Sequence, residues 1–141
     1  MRQIIDGFYP QLKENNISIY MNLPEKALYR EVDIDKFMRV LENVISNAIK
    51  YSSKGTEIDL NLYQSKNRVV IEFWNTPVES IKDEELEFLF KRFYKKTYLE
   101  AAGGGWIRTC YSFRSSKASW RRVGELYAAI KEEKLGIIIK L

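Results

Sequence analysis

Three polar side chains, Asn43, Asn47 and Lys50, follow one another at helical spacing within the stretch from Asp33 to Ser53. In a helix this spacing places them on one face, so they point the same way. Amide oxygens can ligate a hard Mg²⁺ ion, and an ammonium group can meet phosphate as a point charge. The pattern therefore indicates metal and phosphate binding, with solvated helix surface as the alternative for isolated asparagines.

The helix that must carry these side chains has a regular apolar pattern. Its apolar residues recur at three- and four-residue spacing and are Phe37, Val40, Leu41, Val44, Ile45, Ala48 and Ile49. Such a stripe is typical of an amphipathic helix that faces a core. Asp33 or Asp35 is expected to cap its start by accepting unpaired backbone N–H groups.

The segment Asn43 to Tyr51 has the pattern Asn-x-x-x-Asn-Ala-x-Lys-Tyr. It resembles the asparagine box in the ATP-binding catalytic domain of bacterial sensor histidine kinases, members of the GHKL (Bergerat-fold) ATPase superfamily. The resemblance implies that Asn47 and Asn43 hold Mg²⁺ and the phosphates of ATP, that Lys50 contacts phosphate and that Tyr51 flanks the nucleotide. It also implies an α/β (α+β) two-layer sandwich, a mixed and mostly antiparallel sheet with helices on one face.

Composition favours one domain, residues 1–141, with a real core. With 45% hydrophobic and 30% charged residues the chain is expected to be soluble and globular. It has no apolar run of membrane-spanning length and no signal pattern, and its single cysteine, Cys110, fits a reducing compartment. The expected location is the cytoplasmic part of a membrane-anchored sensor.

The chain contains no histidine, which excludes a His-based triad and a His-containing metal site. A phosphorylated histidine must then come from a dimerisation domain that is absent from this chain, and the resemblance implies a response regulator downstream. No certain general base is visible: Glu42, beside Asn43, is a weak candidate, with a solvated helix residue as the alternative. The isolated domain is expected to be monomeric, without direct contact to membrane or nucleic acid.

Periodicity predicts the remaining elements, and no internal repeat or linker divides them. The expected order is a weak helix in 1–13, strands in 17–23 and 28–32, a hairpin of 57–63 and 68–74, a helix in 82–94, and two final strands from 124 to 141 joined by a turn at 131–134. The segment Phe90 to Tyr94 resembles the phenylalanine box of the same family. Arg92 within it is a candidate phosphate contact.

Asn75-Thr-Pro77 follows the second strand of the first hairpin. In the family that the sequence resembles, an Asp-x-Gly-x-Gly turn stands here, and its acid accepts a hydrogen bond from the adenine amino group. Asn75 occupies the position of the acid and Pro77 lies near the first glycine. An amide oxygen can still accept that bond, and an ordinary turn is the alternative interpretation.

Residues 95–123 have neither helical nor strand periodicity, and no acid lies between Glu100 and Glu125. The run Gly103, Gly104 and Gly105 can wrap phosphate. A basic, aromatic-bearing segment can also bind single-stranded nucleic acid, and a basic surface loop is the simplest interpretation. The resemblance places a second glycine box here, Gly-x-Gly-x-Gly-Leu-Ala-Ile, which opens a helix ending in His-Gly-Gly.

A compensated frameshift, in the gene or in the sequence record, is one hypothesis for this segment. Reading each codon's last two bases with the first base of the next forces glycine at two junctions, alanine or valine at a third and isoleucine or threonine at a fourth. These junctions are Trp106–Ile107 and Trp120–Arg121 (glycine), Cys110–Tyr111 and Tyr111–Ser112. Ordinary codon choices complete the series as Gly-Phe-Gly-Leu-Ala-Ile-Ala and later His-His-Gly-Gly.

The leading functional prediction is the ATP-binding catalytic domain of a two-component sensor histidine kinase, with ATP and Mg²⁺ as cofactors. Three alternatives stay open. One is a degenerate, non-catalytic domain with impaired nucleotide binding, and another is a serine-directed kinase or ATPase of the same superfold. The third is a basic nucleic-acid-binding module, which is disfavoured because the excess positive charge is confined to residues 95–123 and the net charge of the chain is only +4.

Overall fold

A computed structural model describes residues 1–81, 107–114 and 122–141 of the chain. Within these ranges lie three helices, α1 (Arg2–Asp6), α2 (Tyr9–Glu14) and α3 (Ile34–Tyr51). The same ranges contain six strands: β1 (Ser18–Asn22), β2 (Glu57–Ser65), β3 (Arg68–Asn75), β4 (Ile107–Arg114), β5 (Arg122–Lys131) and β6 (Lys134–Lys140).

The six strands form one sheet in the order β1-β2-β3-β6-β5-β4. The β1–β2 pair is parallel, while the other four pairs of neighbours are antiparallel. The prediction of a mixed, mostly antiparallel sheet is therefore confirmed. Both predicted hairpins are present, β2–β3 and β5–β6.

The core lies between the sheet and the helices. The buried residues of α3 are six of the seven predicted ones, from Val40 to Ile49, and Phe37 is partly buried against them. They share one cluster with Leu60, Phe73 and Ile139 of the sheet, and α1 and α2 add Ile5 and Leu12 to the same cluster. Burying this apolar surface is the main force that holds α3 on the sheet, and it confirms that the described helices cover one face.

A smaller cluster occupies the other face of the sheet. It consists of Val70, Tyr127, Ala129 and Ile138, with the partly buried Trp74 packed against them. Trp74 lies over Gly136, its register partner on β6, where a Cβ atom would come within 2.5 Å of the ring. Position 136 therefore accepts only glycine unless the indole moves.

Three local predictions need correction. The N-terminal segment forms two short helices instead of one, because the chain breaks at Gly7 and Pro10 starts α2, where its missing N–H costs little. Residues 28–32 are not a strand; they form an irregular stretch in which Tyr29 is 87% exposed. Residues 107–114, without a readable period, form the edge strand β4. The helix predicted in 82–94 lies outside the described residues.

Candidate functional site

The polar face of α3 is built by the same helix that supplies the core. Asp33 caps its start by accepting a hydrogen bond from the backbone N–H of Lys36 at 3.3 Å, so Asp33 and not Asp35 is the cap. Asn43, Asn47 and Lys50 fall outside the buried stripe and are exposed. The amphipathic pattern therefore positions two amides and an ammonium group on the solvent side of a rigid helix.

The side chains of Asn43 and Asn47 make no hydrogen bond to the part of the chain that the structure describes. They lie one helical turn apart, so their oxygens are available to one ligand. Oxygen donors of this kind fit Mg²⁺, which keeps several waters and binds through a few protein groups together with phosphate. No group of three or more Cys, Asp or Glu side chains suited to a metal occurs among the described residues.

Lys50 and Tyr51 end the helix side by side. The Nζ atom of Lys50 lies 5.1 Å from the centroid of the Tyr51 ring, which is within cation–π range. Tyr51 itself is 49% exposed, so much of the ring is open to a ligand. Glu42, the weak candidate for a general base, is exposed on the same helix next to Asn43.

The end of α3 is fixed to the end of β3 by backbone contacts. Ser53 donates its N–H to Thr76 O at 2.9 Å, and Val78 donates its N–H to Tyr51 O at 3.0 Å. Ser52 and Pro77 form an isolated antiparallel bridge between these bonds. The helix that carries the amides and the turn that begins at Asn75 are therefore held together.

Ser52 and Ser53 add side-chain bonds to this junction. The hydroxyl of Ser52 donates to Ala48 O, and that of Ser53 donates to Pro77 O at 3.1 Å. The sequence pattern predicts only an ordinary polar loop at these serines. The available signal was their position directly after a long helix, where hydroxyl groups bond free backbone carbonyls.

Asn75 is the buried member of the site. It ends β3, alternates with Phe73 onto the face that α3 covers, and is only 1% exposed. Its Nδ2 atom has no hydrogen-bond partner among the residues that the structure describes. Leaving a buried donor unpaired costs about 1–3 kcal/mol, so such a group in a folded protein calls for an explanation. A bound ligand with an acceptor atom would satisfy it.

A cavity of about 290 Å³ lies near the start of β3, at the end of the strand that is far from Asn75. It is lined by Leu28, Tyr29, Arg30, Gln64, Asn67 and Val69, next to the β2–β3 turn. Asn75 closes the other end of the strand, so this cavity is separate from the polar face of α3. The predicted contacts Arg92, Gly103, Gly104 and Gly105 lie outside the described residues.

Together these features are typical of an α/β sandwich with a ligand site: a helix layer on one sheet face, a helix with two amides that bond none of the described residues and a buried polar group at the adjoining strand end. The histidine kinase-, DNA gyrase B- and HSP90-like ATPase family matches residues 32–128, and the chain belongs to this family. No helix in the described part of the chain is long and apolar enough to cross a membrane.

The curated relatives that the chain resembles are sensor kinases. It is 35% identical over 102 residues to the sensor histidine kinase WalK of Bacillus subtilis, a match that covers 67% of this chain and 16% of WalK. It is 38% identical over 93 residues to the sensor protein VanS of Enterococcus faecium, which covers 66% of this chain and 23% of VanS. The chain thus corresponds to the ATP-binding domain of a sensor histidine kinase and spans under a quarter of these relatives' length.

Solved structures confirm the fold. The catalytic domain of histidine kinase ThkA in a nucleotide-free form has a TM-score of 0.71 at 17% identity, over 99% of this chain and 88% of that chain. ThkA in complex with the response regulator protein TrrA gives a TM-score of 0.70 at 18% identity, over 99% of this chain and 38% of that chain. The predicted two-layer Bergerat-type sandwich is confirmed.

Proposed function

We propose that this domain binds Mg²⁺ and ATP and transfers the γ-phosphoryl group to a histidine on a separate dimerisation domain. The observation that carries the proposal is the face of α3 on which Asn43 and Asn47 bond none of the described residues, next to the junction that holds Asn75. Membership of the ATPase family and the likeness to WalK and VanS support it.

Each side chain has a role that follows from its chemistry. Asn47 and Asn43 hold the metal through their amide oxygens, and Lys50 attracts the phosphates. Bound Mg²⁺ supplies neutralisation of the phosphate charge. Tyr51 flanks the nucleotide, and Asn75 meets the base. Phosphoryl transfer depends mainly on positioning and charge stabilisation, so a binding domain can provide most of the catalysis without a general base.

The phosphoacceptor must come from outside this chain, because the sequence contains no histidine. We infer a helical dimerisation domain as the first partner and a response regulator as the next acceptor. A location in the cytoplasmic part of a sensor follows from the same assignment. Adding the upstream helical domain and measuring acid-labile phosphate distinguishes histidine from serine as the acceptor.

A second candidate, a degenerate domain with impaired nucleotide binding, is favoured by one observation. Residues 107–114 form strand β4 paired with β5, where the resemblance places a glycine box that opens a helix. If the molecule has residues 95–123 as printed in the sequence, part of the expected phosphate-binding glycine box is missing. Intact mass together with resequencing of codons 100–125 shows whether they are.

Calorimetric titration with a non-hydrolysable ATP analogue and Mg²⁺ tests the proposal. Asn47→Ala is expected to weaken binding about 10-fold or more, because loss of an ion-dipole contact to a charged group is worth about 1.5–3 kcal/mol. Ser46→Ala, an exposed neighbour on α3, is the matched control and should bind like the wild type. If the wild type has the mass expected from its sequence and binds no nucleotide, the degenerate domain is the function that remains.

A further inference from the structure

Asn75 carries a buried polar atom that is left without a hydrogen bond in the described part of the chain. It is 1% exposed, and its Nδ2 atom forms no hydrogen bond within residues 1–81, 107–114 and 122–141. Its neighbours are fixed: Trp74 covers Gly136 on one side, and Thr76 accepts the N–H of Ser53 on the other. The backbone therefore holds this amide rigidly, while no hydrogen bond holds its nitrogen in one orientation.

An amide differs from the acid that the resemblance leads one to expect at this position. A carboxylate only accepts hydrogen bonds, whereas an amide has an accepting oxygen and a donating nitrogen. Rotation by about 180° about the Cβ–Cγ bond exchanges the two. A carboxylate thus selects a base with a hydrogen-bond donor at position 6. An amide can pair with either a donor or an acceptor there.

Purines present two opposite hydrogen-bonding patterns along the edge formed by N1 and the substituent at position 6. Adenine has a donating 6-amino group beside the acceptor N1, and hypoxanthine has an accepting O6 beside a donating N1–H. In one orientation an asparagine can pair with this edge of adenine through two hydrogen bonds, its oxygen accepting from the 6-amino group and its nitrogen donating to N1; in DNA it pairs in the same complementary way with the 6-amino group and N7. In the other orientation its nitrogen donates to O6 and its oxygen accepts from N1–H.

We propose that Asn75 is a specificity-determining residue that makes this site tolerant of 6-oxopurine nucleotides as well as adenine nucleotides. The inference rests on the proposed function, since it requires a nucleotide at this site. The unpartnered Nδ2 atom donates to N1 of adenine or to O6 of hypoxanthine, so either base removes the cost of a buried donor.

Competitive binding of ATP and ITP, which differ at this edge alone, tests the proposal by displacement of a fluorescent ADP analogue in the presence of Mg²⁺. The wild type is expected to bind ITP within about tenfold of ATP. Asn75→Asp should widen the ATP-to-ITP ratio by about tenfold or more, because a carboxylate faces O6 with acceptor against acceptor. Ser46→Ala should leave the ratio unchanged.

A ligand-side measurement avoids the risk that Asn75→Asp does not fold. Purine riboside triphosphate keeps the N1 acceptor and lacks the 6-amino group, so the wild type should bind it only about 3- to 10-fold more weakly than ATP. A wild type that binds ATP but rejects ITP more than about 100-fold overturns the proposal and leaves the proposed function intact. A wild type that binds none of the three nucleotides overturns the proposed function, and this inference with it.

Discussion

Two sets of polar side chains in this domain differ in how they are satisfied. The first lies on the sheet face that the helices do not cover, where Arg68 contacts the buried carboxylate of Glu125 and Tyr127 donates its hydroxyl to the same carboxylate. There too, Glu72 accepts hydrogen bonds from Tyr63 at 2.7 Å and from the Trp74 indole at 3.1 Å. Every one of these groups has a protein partner.

The second set lies at the junction of α3 and β3. Asn43 and Asn47 are exposed without a hydrogen bond to the described residues, and Asn75 is buried with its nitrogen unpaired. Polar groups that serve the fold are paired within it, since an unpaired buried group is costly. The difference indicates that the second set is arranged for a ligand.

The largest expected loss of stability comes from a substitution in the first, paired set of side chains. Arg68→Ala removes a guanidinium group that contacts the buried Glu125 carboxylate and should lower the free energy of unfolding by about 2 kcal/mol. The loss is below that of a fully buried pair because the Arg68 side chain is half exposed. Urea denaturation measures it, with Arg39→Ala, an exposed arginine on α3, as the control. Equal stability of the two variants would contradict the role of the pair.

A change at Asn75 should raise the free energy of unfolding instead of lowering it. Asn75→Leu keeps the branched shape and removes the unpaired donor, so the empty domain should gain about 1 kcal/mol in free energy of unfolding. ATP affinity should fall in the same variant. Urea denaturation and calorimetry measure the two quantities; a loss of stability would mean that the amide is needed by the fold itself.

The β5–β6 turn, which is not part of the proposed nucleotide site, allows backbone strain to be tested separately from ligand binding. Glu132 and Glu133 both have positive φ, 49° and 64°, a conformation that suits Asn and Gly better than Glu. The double change Glu132→Asn with Glu133→Gly should stabilise the domain by about 0.5–1 kcal/mol and leave ATP affinity unchanged. A lower thermal midpoint would show that the turn is not under strain.

The smallest effect concerns pH. Burial, with help from the hydrogen bond and the charge of Glu72, raises the pKa of Tyr63 to about 12 from its usual 10.0. The folded state therefore keeps the Tyr63 proton more tightly than the unfolded chain does. The contribution is fully present below pH 10 and is lost as the pH rises toward about 12.

Tyr63→Phe should therefore reduce the fall in stability of the domain between pH 9 and 11. The difference is expected to be only a few tenths of a kcal/mol, because Tyr63 is 40% exposed and solvent screens the interaction. Paired urea titrations of the wild type and the variant at both pH values measure it. Parallel pH dependences would rule out a perturbed Tyr63.

Sequence patterns predicted those parts of the molecule whose stability comes from local periodicity. The stripe of α3 and the alternation of β2 and β3 gave both the elements and their buried faces, because burial of apolar surface is what selects them. The helical period that fixes the stripe also places Asn43, Asn47 and Lys50 together on the opposite, polar side, so this part of the candidate site could be predicted from spacing alone.

Other features depend on contacts between distant residues and could not be read from a window of sequence. β4 has no period of its own and is formed by pairing with β5. Residues 28–32 were predicted as a short strand but have no strand beside them in the described sheet. The burial of Asn75 and the unpaired Nδ2 atom among the described residues also depend on tertiary packing at the end of β3.

The central claim is that the α3 amides hold a metal-bound triphosphate. The most direct test is the Mg²⁺ dependence of ATP affinity in the wild type and in the double variant Asn43→Ala with Asn47→Ala. The account predicts that chelating Mg²⁺ weakens ATP binding by the wild type at least about tenfold and has no effect on the already weak binding by the variant. Equal metal dependence in the two proteins would contradict it.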